Sequence, residues 1–195
     1  MRLRGLYAVT PESADFLDRL RLALEGGAAL VQYRRKRRDV AAAKQALDLA
    51  RRHGVPLIVN DDVELALEIG ADGAHLGRDD GDLAAARTRL AGKILGASCY
   101  DDSERARAAV RAGADYVAFG SVFASTTKPA AVRAPLELFG EARSLGVPLC
   151  AIGGIRLDNA RQAIDAGADL LAVISDLFDA RDVRLRAQQY GRLFA

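Results

Sequence analysis

Arg111-Ala112-Gly113-Ala114-Asp115 runs directly into the apolar stretch Tyr116-Val117-Ala118-Phe119, and this joint recurs along the chain. Glu68-Ile69-Gly70-Ala71-Asp72 and Asp165-Ala166-Gly167-Ala168-Asp169 repeat it, and Glu25-Gly26-Gly27-Ala28-Ala29 is a weaker copy. In each, a glycine follows a helical pattern, where a left-handed residue often ends the helix, and a short apolar run comes next. Gly54-Val55-Pro56-Leu57 and Gly146-Val147-Pro148-Leu149 serve the joints between. The copies therefore precede every second strand. Working outward, strands are predicted over Leu3–Thr10, Ala28–Tyr33, Pro56–Asn60, Gly73–Leu76, Lys93–Ser98, Tyr116–Phe119, Pro148–Ile152 and Leu170–Ile174. Helices are expected from Thr10-Pro11 to Glu25, from Asp39 to His53-Gly54, from about Asp82, and from Asp102 or Ser103 to Ala112. Val183, Ala187, Tyr190 and Phe194 mark the last helix at helical spacing. Eight short apolar strands alternating with helices imply parallel strands covered by helices. The count fits a single, short and little decorated (β/α)₈ TIM barrel over residues 1–195.

Composition narrows the function classes. Half the residues are apolar, which suits a globular protein with a sizeable core. A net charge of +2 gives no electrostatic footprint for nucleic acid, and the run Arg34–Arg38 carries no aromatic interleaving that would make one. No apolar segment approaches the roughly 20 residues that span a bilayer. Met1 leads almost directly into a strand, which leaves no room for a signal peptide. Cys99 and Cys150 have no metal-type spacing and make no disulfide framework. A reduced cytoplasmic protein is expected, with small molecules as partners and a homo-oligomer as one possible assembly.

In such a barrel the chemistry sits on the loops after the strands. After the second strand come Gln32, Arg34 and Lys36; after the third, Asn60, Asp61 and Asp62; after the fourth, Arg78, Asp79 and Asp80. Ser98 ends the fifth. The loop Gly120 to Pro129 after the sixth holds Ser125, Thr127 and Lys128, a set of hydroxyls and one point charge suited to phosphate oxygens. Gly153 and Gly154 follow the seventh strand and Ser175 the eighth, the usual barrel phosphate position. Carboxylates at two strand ends suit Mg²⁺, which bridges protein to substrate phosphate. Asp61 and Asp62 could instead favour a helix N-terminus. His75, inside a strand, reads as a core or supporting histidine rather than a base, and Cys99 as a small buried residue. No nucleophile–base pair stands out, which points to electrostatic catalysis at a leaving group.

These segments resemble the thiamine phosphate synthase family. Val31-Gln32-Tyr33-Arg34-Arg35-Lys36 resembles its Q-x-R-x-K segment, Val59-Asn60-Asp61-Asp62 its N-D-D segment, and His75-Leu76-Gly77-Arg78-Asp79-Asp80 its H-x-G-x-x-D segment. Gly96-Ala97-Ser98, Ser125-Thr126-Thr127-Lys128, Ala151-Ile152-Gly153-Gly154-Ile155 and Val173-Ile174-Ser175 are similar to its later motifs, in order along the whole chain. The resemblance implies an enzyme that joins a pyrimidine methyl diphosphate to a thiazole phosphate, giving thiamine phosphate and diphosphate. It implies that Gln32 contacts the pyrimidine, that Arg34, Lys36, Asn60, Ser98 and Lys128 hold the diphosphate, and that Asp61 and Asp80 hold Mg²⁺. Ser125, Thr127, Gly154, Ile174 and Ser175 would hold the thiazole phosphate, with Tyr33, Arg35 and Thr126 completing the substrate-binding segments. Arg34, Lys36, Ser98 and Lys128 are the catalytic candidates. Two departures are a serine at 125 where some members carry threonine, and the run Cys99-Tyr100-Asp101 where others have histidine or threonine. The alternatives are the related thiazole tautomerase, another phosphosugar isomerase or epimerase on this barrel, and a non-catalytic phospho-ligand-binding barrel. Asp61 with Asp80, beside Arg34 and Lys36, argues against the tautomerase.

Overall fold

The computed structural model describes residues 3–124 and 132–195, and in it the eight apolar runs become the eight parallel strands of a closed barrel paired in sequence order. The order is β1 (Gly5–Val9), α1 (Phe16–Glu25), β2 (Leu30–Tyr33), α2 (Val40–Arg52), β3 (Leu57–Asn60), α3 (Val63–Ile69), β4 (Gly73–Leu76), α4 (Leu83–Arg89) and β5 (Ile94–Tyr100). It continues with α5 (Ser103–Arg111), β6 (Tyr116–Phe119), α6 (Glu137–Ala142), a 3₁₀ turn (Arg143–Leu145), β7 (Leu149–Ile152), α7 (Ala160–Ala166), β8 (Leu170–Val173), α8 (Ser175–Phe178) and α9 (Val183–Arg192). β1 pairs with β8, which closes the sheet.

The recurring joint explains itself at the N-terminal end of this barrel. Gly70, Gly113 and Gly167 all take positive φ, at 71°, 94° and 125°, where any other residue is strained. The alanine that follows is buried, and its N–H donates to the alanine carbonyl five residues back, as in Ala114 N to Ala109 O at 3.0 Å. The aspartate then bonds twice to one residue at the start of the preceding odd strand. Asp115 N donates to Leu95 O at 2.7 Å, and the Asp115 carboxylate accepts from Leu95 N at 2.7 Å. Asp72 does the same for Leu57, at 2.9 and 2.8 Å, and Asp169 for Leu149, at 2.8 and 3.1 Å. Each joint fastens an even strand to its odd neighbour, which is why the repeat has a period of two. The weaker copy keeps only the backbone bond, Ala29 N to Leu6 O at 2.8 Å.

Helix starts use aspartate too. Asp39, Asp62, Asp82, Asp102 and Asp182 each accept a hydrogen bond from the N–H three residues on, satisfying a donor that the helix cannot. The expected start at Thr10-Pro11 is corrected: α1 begins at Phe16, after Asp15. Thr10 is taken up elsewhere, because its hydroxyl accepts from Arg34 N at 2.9 Å and ties the top of β1 to that of β2. β2 begins at Leu30 rather than Ala28, and β5 runs two residues past Ser98 through a register shift between Ser98 and Tyr100.

Strand alternation sorts the side chains into two layers. Tyr7, Leu30, Ile58, Tyr116, Cys150 and Leu170 fill the barrel interior. Leu6, Val31, Leu57, Val117 and Leu171 face the helices. The same parity sends Gln32, Asn60, His75 and Ser98 inward, to the upper end of the barrel. No helix among the described residues is long and apolar enough to cross a membrane.

Candidate active site

The C-terminal mouth opens into a cavity of about 570 Å³ whose wall draws on all eight strands, with Tyr7 and Val9, Gln32, Asn60, His75, Ser98 and Tyr100, Ala118, Ile152 and Ala172 at successive positions. A larger space of about 970 Å³ lies at the opposite mouth, around Arg87, Lys93, Asp115 and Arg143. There the charged groups hold the joints together: Arg87 pairs with Asp115 at 2.9 Å, and Lys93 donates to Ala71 O at 2.5 Å. Size does not make it the site. The convergent polar groups are at the C-terminal mouth.

Two carboxylates meet on one side of this mouth. Asp61 sits in the left-handed region, φ 62°, held by its N–H to His75 O at 2.8 Å, and Asn60 Nδ2 donates to its carboxylate. Asp80 is turned inward by Gly77, whose N–H donates to Asp80 Oδ2 at 2.7 Å. A Cβ at Gly77 would lie 2.7 Å from that oxygen and would push the carboxylate aside, so glycine keeps Asp80 in this position. Desolvation first, then a hydrogen bond with Asp80 and its charge, push the Asp61 carboxyl up to about 6, while Asn60 and Arg34 oppose this. Neighbouring carboxylates that repel one another beside an open cavity fit a hard divalent cation. Among the described residues no group of three or more metal-binding side chains gathers. A pair suits an ion that keeps waters and takes its other oxygens from a substrate phosphate. Asp62, next in sequence, faces away and caps α3.

A chain of hydrogen bonds crosses the floor of the cavity. Gln32 Nε2 donates to the Tyr7 hydroxyl at 2.6 Å, Tyr7 and Tyr116 hydroxyls lie 2.9 Å apart, and Tyr116 reaches His75 Nδ1 at 2.7 Å. His75 Nε2 then meets Ser98 Oγ at 2.8 Å. Burial drives the His75 pKa down to about 4 and both tyrosines well above their ordinary value, so the chain is neutral at physiological pH. Ser98 is braced from behind, where Arg105 Nε donates to its carbonyl at 2.8 Å.

The other side of the mouth is made of backbone. Gly153 and Gly154 have φ of 96° and 65°, and a Cβ on Gly154 would fall 2.3 Å from Ala124 O. Ile174, Ser175 and Arg156 complete that wall. Of the site residues expected from sequence, Gln32, Arg34, Asn60, Asp61, Asp80, Ser98, Gly154, Ile174 and Ser175 line the cavity. Three expected residues do not. Tyr33 has the outward strand parity, packs on Phe16 and donates to Asp39 O at 3.0 Å. Arg35 lies over the Phe16 ring, 3.7 Å from its centroid, and donates to Pro11 O at 2.6 Å, so it binds two loops together. Lys36 is exposed and does not reach the wall. Ser125, Thr126, Thr127 and Lys128 lie outside the described residues. Sequence reasoning missed Tyr7, Tyr100, Tyr116 and Arg156. Inward strand parity was the signal for Tyr7 and Tyr116; Tyr100, beyond the expected end of β5 and past a register shift, and Arg156, on a loop, carried none.

Fold and mouth together define a (β/α)₈ barrel with acidic, basic and glycine-turn elements gathered at its C-terminal mouth, the arrangement of a barrel enzyme that acts on small molecules. The thiamine monophosphate synthase family model matches residues 6–177, and the chain belongs to that family. It is 59% identical over 202 aligned positions to the thiamine-phosphate synthase of Aromatoleum aromaticum, covering 99% of this chain and 97% of that one. The thiamine-phosphate synthase of Chromobacterium violaceum is 56% identical, with 99% and 97% covered. A solved thiamine phosphate pyrophosphorylase from Pyrococcus furiosus superposes with a TM-score of 0.88 at 34% identity, covering 98% of this chain and 96% of that one.

Proposed function

We propose that the chain joins an aminopyrimidine methyl diphosphate to a thiazole bearing a phosphooxyethyl arm, releasing thiamine phosphate and diphosphate, with Mg²⁺ as the cation. The observation that carries this reading is the Asp61–Asp80 pair gathered with Arg34 and Asn60 at one side of the cavity. A bound cation there would neutralise diphosphate oxygens as the leaving group gains charge. Arg34, Asn60 and Ser98 would donate to the same group, joined by Lys36 and Lys128 from their loops. Gln32 would orient the pyrimidine, whose ring amino group stabilises the carbocation left when diphosphate departs. On the opposite wall Gly154, Ile174 and Ser175, with Ser125 and Thr127, would hold the thiazole phosphate, placing the ring nitrogen near that cation. No side chain has to act as a nucleophile. The protein's task is to stabilise developing charge and to exclude misaligned attack.

The test is thiamine phosphate formation from both substrates after chelation and after Mg²⁺ is restored. Metal-dependent product is expected; no product, or turnover indifferent to the metal, would overturn the reading. Within it, Ser175→Ala should weaken thiazole phosphate binding by about 2- to 12-fold, the equivalent of one net hydrogen bond, and leave diphosphate binding unchanged.

A further inference from the structure

The hydrogen-bond chain across the cavity floor has a direction. Each hydroxyl in it can donate one proton, and a neutral imidazole donates from one nitrogen only. With Gln32 Nε2 donating to Tyr7, every buried hydroxyl proton in the chain finds an acceptor when Tyr7 donates to Tyr116 and Tyr116 donates to His75 Nδ1. His75 must then carry its proton on Nε2 and give it to Ser98 Oγ. Two consequences appear at the ends. The Gln32 amide, with its nitrogen engaged, offers its carbonyl oxygen to the cavity. Ser98, whose lone pair is engaged, keeps its hydroxyl proton free to donate.

The reverse polarity is chemically available and has opposite consequences. If Gln32 accepted from Tyr7, every proton would shift one place, His75 would carry its proton on Nδ1, and Ser98 would donate inward. Gln32 would then show a donor to the cavity and Ser98 only lone pairs. An aminopyrimidine needs an acceptor facing its amino group, and a diphosphate needs a donor. One polarity suits both ends at once; the other sets a donor against the amino group and lone pairs against the diphosphate.

We propose that Tyr7, Tyr116 and His75 are positioning residues, a fixed-polarity relay that makes Gln32 an acceptor toward the aminopyrimidine and Ser98 a donor toward the diphosphate. The proposal rests on the reading of those two ligands given above. It assigns a specificity role to three side chains that lie beneath the substrates rather than on the loops. The packing supports a fixed geometry. The Tyr7 and Tyr116 rings meet edge to face at 6.0 Å, His75 stacks on Tyr116 at 5.5 Å, and all three are buried.

Two measurements test it. In the ligand-free protein, ¹⁵N spectra of His75 at neutral pH should show the neutral Nε2–H tautomer; the Nδ1–H tautomer overturns the proposal. The second measurement compares two probes, the aminopyrimidine alcohol and its analogue with oxygen in place of the amino group, titrated into the full-length protein. Tyr116→Phe keeps the ring and cuts the relay, freeing the Gln32 amide to turn. The preference for the amino probe should fall by about 2- to 12-fold, and inorganic diphosphate with Mg²⁺ should bind weaker by a similar factor. A loosened barrel would weaken both pyrimidine probes alike and leave their ratio intact, and an unchanged ratio with retained binding also overturns the relay. Tyr7→Phe cuts the chain one link nearer Gln32 and should repeat the loss. Should neither variant fold, the tautomer decides. Should the wild-type protein bind neither pyrimidine nor diphosphate, the substrate reading falls, and the tautomer still judges the relay separately.

Discussion

Asp61 and Asp62 are adjacent, identical in chemistry and opposite in use. Asp62 closes the first turn of α3, whereas Asp61, in the left-handed region, turns toward Asp80. That a carboxylate after the third strand shares a site with Asp80 was readable from two strand ends; the choice of Asp61 over Asp62 came only from the family resemblance, because it depends on one φ angle. A carboxyl raised from 3.8 to about 6 holds its proton longer in the folded chain than in the unfolded one. Folded stability therefore falls as pH rises through that interval, and the repulsion is fully present above it. Asp61→Asn should raise the melting temperature of the metal-free protein above pH 6, by an amount worth on the order of 1 kcal/mol because the residue opens to solvent. It should also abolish the rise in melting temperature on adding Mg²⁺. Thermal denaturation with and without the metal reads both, and a variant less stable at every pH would sink the idea. His75 has the opposite sign. Its pKa is about 4 folded against 6.5 ordinarily, so the unfolded chain binds the extra proton between those values and stability is lost as pH falls through them. The loss reaches roughly 3 kcal/mol at most. Urea denaturation of wild type and His75→Gln near neutral pH and in mild acid should show a shallower pH slope in the variant; parallel slopes would mean that the histidine is charged when folded.

Elements assemble through a small set of repeated devices, and these were unevenly visible beforehand. The glycine-alanine-aspartate joints gave the strand count, and the aspartates before α2, α4 and α5 marked helix starts correctly, because each device is local in sequence. Thr10 misled because its hydroxyl bonds to Arg34, a partner 24 residues away that no local pattern announces. Tyr33 and Arg35 misled for a related reason: a motif read as a string ignores that strand parity sends alternate residues to opposite faces of the barrel. The joints also make a quantitative expectation. Three carry a carboxylate on an N–H at the start of the odd strand, and the fourth has Ala29 in that place. Ala29→Asp would aim a carboxylate at Leu6 N by the same geometry. One such bond to a charged acceptor, half screened at the barrel rim, should add about 1 kcal/mol. The converse, Asp72→Ala, should remove about as much. Urea midpoints at unchanged m-value would register both, and a fall in stability for Ala29→Asp would show that the first joint closes differently from the other three.

The molecule as a whole has two ends with separate duties, divided by the packed interior of Tyr7, Leu30, Ile58, Tyr116 and Leu170. Barrel closure followed from the number of strands, and the working end followed from the direction of parallel strands, so both were legible in the sequence. The sizes of the two cavities were not, because they depend on how side chains from all eight strands fill a closed ring. The N-terminal space is the larger, at about 970 Å³ against about 570 Å³, yet its Arg87 and Lys93 are engaged with the joints. A pair of substitutions separates the two ends. Lys93→Met removes the bond to Ala71 O at the N-terminal mouth and should lower stability by about 1 kcal/mol, while kcat/KM stays within about 2-fold. Ser98→Ala, at the C-terminal mouth, removes a donor facing the proposed leaving group. It should cut kcat/KM by about 10²-fold, since that donor gains interaction as charge develops in the transition state, and should cost about 1–3 kcal/mol in stability because His75 Nε2 loses its partner. Both variants are read by steady-state kinetics and urea denaturation on the same preparations. If Lys93→Met lost activity out of proportion to stability, the N-terminal mouth would take part in catalysis and the division of duties would have to be abandoned. The argument for it is physical: chemistry at a barrel needs groups converging on a space where a ligand can displace water, and among the described residues those groups converge at the C-terminal mouth.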